Sequence, residues 1–322
     1  MKIGLYNGAW PQNIGNAFFD LGARALLRAA VPEATFYPMG GAVHWMQRAS
    51  AIHHHTKYGR AGAVLNRLTR KAPRETKSIE IGEIADVDLI VFAGMSMCEE
   101  FLDNNAMTIS AAANRGVAVL GLGTGAYRYT KEEARLYSAF LGTLPRASVI
   151  TRDDDTFSMY SESVKSIWAG IDCAFFLPEY YAPPRLTLSG FDVENFDEDG
   201  NFPIIDHGSR RVLRAHHDMW GPLPRRYLGQ PDTLVSDIPE DYLTLYSQAI
   251  ETHADRVHAC VASLSYGNRA RLYSSTPRKA LFDKVGVPNI TSQVSQLDMP
   301  YLQELKQAQI VQTRKFIERL IT

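Results

Sequence analysis

Arg256 and His258 open the stretch RVHACVASLSYG, where a polar run, ETHAD, gives way to an apolar helical pattern that Gly267 ends. An arginine at a helix N-terminus can grip a carboxylate or phosphate in a fork of hydrogen bonds, helped by free backbone amides and the positive end of the helix dipole. A histidine two residues on can exchange protons near neutral pH. Residue chemistry alone leaves a second account open: a surface arginine, and a helix-start histidine satisfied by the backbone.

The elements that would position these residues alternate along the chain. Lys2 to Tyr6 is a short apolar strand, followed by a glycine-containing loop and FFDLGARALLRAA, whose Phe18, Leu21, Ala25 and Leu26 share one helical face. The alternation returns with DLIVFAG at 88–94, a helix to about Asn114, VAVLGLG at 117–123, a helix from Lys131, ASVIT at 147–151 and a further helix. Such alternation predicts a parallel sheet covered on both faces. Ligands then collect beyond the carboxyl ends of the strands, which points to the loops Asn13–Asn16, Gly94–Met97, Gly123–Gly125 and Thr151–Asp153. Pro178, Pro183 and Pro184 interrupt the pattern, so the domains are expected at 1–180 and 181–322.

The second half restarts with RLTLSGF, and the acidic stretch DVENFDEDGN after it is expected to be a loop. RRVLRAH, DTLVSD and ARLYS are expected strands, and IPEDYLTLYSQAI is a helix with Pro239 in its first turn. YLQELKQAQIVQTRKFIERL forms a long amphipathic helix able to pack back across the boundary.

Composition narrows the function classes. The 322 residues are 45% hydrophobic and 21% charged, and 34 lysines and arginines balance 35 acids, so no global basic field advertises nucleic-acid binding. No run approaches a membrane span and the N-terminus lacks a signal-peptide core, so a cytoplasmic protein is expected. Cys98, Cys173 and Cys260 lack zinc-site spacing, and no metal or cofactor is invoked. Segment 44–77 carries eight lysines and arginines against one acid, Glu75, and includes His53, His54 and His55. It could meet an anionic glycan, a lipid diphosphate carrier or the inner face of the membrane as a peripheral contact, or remain solvated surface.

Several segments together resemble the polysaccharide pyruvyl transferase family. That family carries Arg-Leu-His-Ala/Gly, an apolar helix, a glycine, a short strand and a Tyr-x-x-Lys-like turn. Here stand Arg256-Val257-His258-Ala259, Gly267, Ala270 to Tyr273, and Pro277-Arg278-Lys279. NIGNAFFDLGARALL resembles its Asn-x-Gly-Asp segment, VAVLGLGTG its second glycine strand, VITRDDDTFSMY its Val-x-x-Arg-Asp segment, and Asp172 before CAFFLP its Asp-x-Ala-Phe run. The markers span roughly residues 3–287. The chain departs from the family at Asn16, where aspartate is usual, and at AGMSM, 93–97, where glycines are usual. It departs again in a shortened crossover at 191–209, which leaves the arginine of the first strand of this domain without a counterpart. Arg214 is the substitute candidate, or else a solvent-facing strand-end arginine.

The resemblance implies two doubly wound, Rossmann-like α/β domains facing a central crevice, as in GT-B glycosyltransferases. It implies transfer of pyruvate from phosphoenolpyruvate to a saccharide or lipid-linked saccharide as a ketal, with release of phosphate. Arg256 would hold the anion and His258 would give the proton; Arg214, Asn13, Gly15, Asn16, Gly94, Gly123, Arg152 and Lys279 would bind substrate. Two rivals are a glycosyltransferase of similar fold using a nucleotide sugar and a non-catalytic glycan-binding relative.

Overall fold

Near-continuous apolar strands need cover on both sides, and the computed structural model supplies it with helices around two parallel sheets. It describes residues 1–6, 13–39, 81–197, 203–218, 227 and 229–322; the basic segment 44–77 lies outside them. The first sheet is built from β1 (Lys2–Tyr6), β2 (Thr35–Met39), β3 (Leu89–Ala93), β4 (Ser96–Met97), β5 (Ala118–Ala126), β6 (Ala147–Thr151) and β7 (Ile167–Ala169), interleaved with α1 (Gly15–Ala30), α2 (Glu99–Asn114), α3 (Lys131–Gly142) and α4 (Asp154–Tyr160). Its order is β2-β1-β3-β5-β6-β7, with β4 added against the end of β5, and every pairing is parallel. Alternation splits its core. Leu89, Val91 and Leu120 face the α1 side, while Ile90, Phe92 and Val119 join Tyr137 and Tyr160 opposite.

The second sheet contains β8 (Phe191–Asn195), β9 (Arg211–Ala215), β10 (Thr233–Leu234), β11 (Glu251–Ala254) and β12 (Arg269–Leu272), with α5 (Pro239–Tyr246) and α6 (Val257–Ser265). Its order, β10-β9-β8-β11-β12, is again wholly parallel. Both sheets are therefore doubly wound. Successive crossovers reverse direction between β1 and β3 in one sheet and between β8 and β11 in the other, and those switch points open the ligand crevice.

The last helix, α7 (Met299–Ile321), returns to the first domain. Gln309, fully buried there, accepts from the Ile171 amide at 2.6 Å and donates to the Ile171 carbonyl at 3.1 Å. Lys306 pairs with Glu179 at 2.9 Å, and Arg314 donates to the Ala30 carbonyl at the end of α1. Among the described residues no helix is long and apolar enough to cross a membrane.

Two acidic or polar stretches depart from expectation. The strand after the boundary is FDVEN and not RLTLSGF, so half of the supposed acidic loop lies in the sheet. Phe191 and Val193 fill the core while Asp192 and Glu194 point to the other face, where His207, Arg210 and Arg214 meet them. ETHA is β11 and not a loop, with His253 on that same polar face. Strands β2 and β7 also escape the sequence reading, one largely exposed and containing Pro38, the other three residues long.

Candidate active site

The second switch point is organised by Asp197, just beyond β8. Its carboxylate accepts from the amides of His217 (2.9 Å) and Asp218 (3.0 Å), which follow β9, and lies 2.6 Å from Arg256 Nε, which follows β11. Its own amide donates to Asp255 at 3.1 Å. One buried acid thus ties three strand ends, and burial, which would raise its pKa, is outweighed by His216, His217 and Arg256, which hold it below the usual range. Arg256 also approaches Asp255 (3.7 Å) and Asp218 (3.8 Å), so its charge is largely met by protein carboxylates.

Arg256 caps α6 without a side-chain hydrogen bond to the helix, which leaves the first amides without that cap at residues that line the crevice. His258, in the first turn, sends Nε2 to 3.6 Å from Asp172 Oδ2, an ion-pair distance that a small ring rotation would shorten to a hydrogen bond. Burial works to raise the Asp172 pKa, but His258, Arg152 and the Ala174 amide, 2.8 Å from Oδ1, together lower it. The carboxylate is therefore ionised and can hold the imidazole with Nδ1 left for the cavity.

Arg256 and His258 meet Asn13 and Asn16, from the start of α1, in a cavity of about 460 Å³ between the domains. The chain crosses it directly: the Ile14 amide donates to the His217 carbonyl at 3.0 Å. Ser274, Ser275, Thr276 and Arg278 line the far wall, and Phe196 and Tyr273 add apolar surface. Arg278 is half-buried over the Tyr127 ring and has no carboxylate partner among the described residues; burial and the neighbouring Arg152 and Arg256 lower its pKa. Such a guanidinium suits an incoming anion.

Fully buried His217 also reaches the cavity. The Tyr246 hydroxyl lies 2.7 Å from its Nε2, while Nδ1 has no hydrogen-bond partner among the described residues. Burial pushes its pKa down to about 3, so the ring is neutral at physiological pH.

The other expected site residues take different places. Gly15 donates to Asn13 Oδ1 at 2.9 Å, and a Cβ there would come within 3.2 Å of His258, so it keeps the α1 turn tight against the histidine. Gly94, at φ +58°, gives room to Phe19, whose ring sits 5.4 Å from that of His258. Gly123, at φ +63°, makes room for Cys173, beside Asp172. Neither glycine lines the cavity. Arg152 is buried under it, 3.5 Å from Asp153; burial disfavours its charge, but Asp172, Tyr129 and Asp153 raise its pKa. Arg214 lies off the cavity on the polar face of β9, 3.8 Å from Glu194. Lys279 turns away to Asp283 at 3.8 Å, and its neighbour Arg278 takes the wall instead. His217, Asp197 and Arg278 escaped the sequence reading, although His217 closes the RRVLRAHH run and Arg278 precedes the lysine that was chosen.

No protein-family profile matches the chain, and no curated protein matches it. Solved structures share its fold. UDP-GlcNAc 2-epimerase from Neisseria meningitidis, bound to UDP-GlcNAc, aligns over 100% of this chain and 99% of its own at TM-score 0.52 and 12% identity. Staphylococcus aureus MnaA with UDP aligns over 98% and 91% at 0.54 and 12%. An uncharacterized Klebsiella pneumoniae protein aligns over 90% of both chains at 0.50 and 12%. At such identities the likeness establishes the two-domain Rossmann-like architecture.

Proposed function

We propose that this chain is a transferase that binds a phosphate-bearing donor at the N-terminus of α6 and passes its organic group to a saccharide, with His258 as the acid–base residue. The observation that carries this is the meeting, in one cavity, of Arg278, which has no carboxylate partner among the described residues, and a histidine backed by a buried carboxylate, His258 on Asp172. The α6 amides, Ser274 and Thr276 add hydrogen-bonding capacity for phosphate oxygens. Anion binding and proton transfer are thereby brought within one ligand's length.

For the donor, the resemblance of the RVHA segment to pyruvyl transferases favours phosphoenolpyruvate. Protonation of its methylene carbon by His258 makes the adjacent carbon electrophilic, and one sugar hydroxyl adds there, its proton returning to His258, while Arg278 and the α6 amides hold the phosphate and carboxylate. A second hydroxyl then displaces inorganic phosphate and closes the cyclic ketal. The acceptor, a saccharide or lipid-linked saccharide, would lie against Asn13 and Asn16.

A second donor, a nucleotide sugar, is favoured by the cavity's size and by the apolar Phe196 and Tyr273 surface, which could flank a base. The ligand named for the N. meningitidis structure, UDP-GlcNAc, is of this class, and the S. aureus structure holds its nucleotide part, UDP. Mass spectrometry of a saccharide panel incubated with each donor separates the two. Pyruvyl mass gain with phosphate release is expected; a hexosyl-type gain from a nucleotide sugar would replace that donor, and saccharide binding with no product from either would leave a glycan-binding protein.

A further inference from the structure

The polar face of the second sheet, which borders the cavity at Tyr273, holds a cluster that the transferase chemistry does not use. Where a doubly wound domain would place a helix between β8 and β9, segment 203–210 covers the sheet, and it is tied down by His207 and Arg210. His207 Nδ1 lies 2.8 Å from Asp192 Oδ2 on β8, and the His253 ring on β11 stands edge-on to it with centroids 5.3 Å apart. One ligand atom from each of Asp192, His207 and His253 falls within 4.8 Å of the others, and all three side chains are nearly or fully buried.

We propose that Asp192, His207 and His253 form a binding site for a divalent transition metal, best matched by zinc. Two imidazoles and one carboxylate are the donor set zinc takes where a fourth position stays open to water. The surrounding groups match what such ligands require. His207 Nε2 sits 3.2 Å from Glu194, and His253 Nε2 sits 3.3 Å from Glu251, so each imidazole has its second nitrogen on a carboxylate that fixes ring orientation and raises basicity. His207 Nδ1 already faces Asp192 Oδ2, and His253 would turn one ring nitrogen to the ion. The hydroxyl of Tyr273, 3.1 Å from His253 Nδ1, gives way. Arg210 contacts both Asp192 oxygens at 2.9 Å and keeps Oδ1 while Oδ2 turns to the ion. Tetrahedral ligation at about 2.0 Å sets ligand atoms about 3.3 Å apart, so the cluster must draw in by up to about 1.5 Å. Segment 203–210, carrying His207, lies outside the regular elements and would make that adjustment. The bound ion would pin it to β8 and β11 and supply the cross-link that a helix gives elsewhere.

The test uses the full chain without a histidine tag, stripped by chelator and then titrated with Zn²⁺ against a competing chromophoric chelator. About one equivalent is expected, with a higher melting temperature, and Co²⁺ in its place should give the intense visible bands of a four-coordinate site. His207→Gln and Asp192→Asn should each lose that equivalent. Glu194→Gln, which keeps all three ligands, should weaken binding by about 10-fold or more. Replacing His53, His54 and His55 should leave it unchanged. The proposal is overturned if folded wild-type protein takes up no stoichiometric zinc, or if the His207 and Asp192 variants bind it as wild type does.

Discussion

At the scale of single residues, the proposed transfer divides the cavity's labour between Arg278, offering charge, and His258, offering a proton. Arg278→Lys keeps the charge but loses the planar fork, so donor KM should rise by about 10- to 100-fold, near 1–3 kcal/mol, with kcat less affected. His258→Asn should instead lower kcat by roughly 10²- to 10⁴-fold with donor binding retained. Steady-state kinetics on both variants checks the split, and equal effects on KM and kcat in both would refute it. His217 gives a signature in stability. Its pKa is about 3 when folded and near 6.5 when unfolded, so between these values the unfolded chain carries a proton that the folded chain lacks. Stability is complete above about pH 6.5 and falls as pH is lowered through the window, by roughly 2 kcal/mol at pH 5 at 1.36 kcal/mol per pH unit. Below about pH 3.8 the depressed carboxyls of Asp172 and Asp197 add to the loss. Urea titrations at pH 7 and pH 5 measure this, and His217→Gln should flatten the upper part of the slope.

At the scale of elements, the glycines after β3 and within β5 act through what they let approach. Gly94 sits in the left-handed region directly against the Phe19 ring, which in turn packs on His258. Gly94→Ala should cost about 2–4 kcal/mol, from backbone strain at positive φ together with overpacking. It should also lower kcat by shifting the histidine. A melting curve like wild type's with unchanged turnover would show that the α1 turn accommodates the methyl. AGMSM packs with a single glycine because that glycine stands where the ring arrives.

At the scale of the whole molecule, α7 couples the end of the chain to the site. Gln309 holds both backbone groups of Ile171, the residue before Asp172, so the last helix supports the carboxylate that backs His258. Gln309→Leu leaves a buried amide and carbonyl unpaired and should cost about 2–4 kcal/mol. If Asp172 depends on this support, kcat should fall with KM little changed. Thermal melts and kinetics on one preparation test both, and loss of stability with intact kcat would confine Gln309 to a packing role.

The strand–helix alternation, both domains, α6 with its Arg256 and His258, and the returning α7 were legible because period and caps are local properties. Strands β8 and β11 were not, since FDVEN and ETHA read as polar until partners from elsewhere in the chain neutralise one face of each. The same limit explains the site residues. Nothing in PRK tells which of Arg278 and Lys279 turns inward, because the turn after Thr276 decides it. Nothing near Arg214 announces that Glu194 will occupy it. Asp172 stood in a recognisable motif, but its role as the partner of His258 exists only because α1 and the 171–176 segment bring the first domain against α6. Local patterning determined which elements form; long-range packing decided which charges were already paired, and so which remained for a ligand.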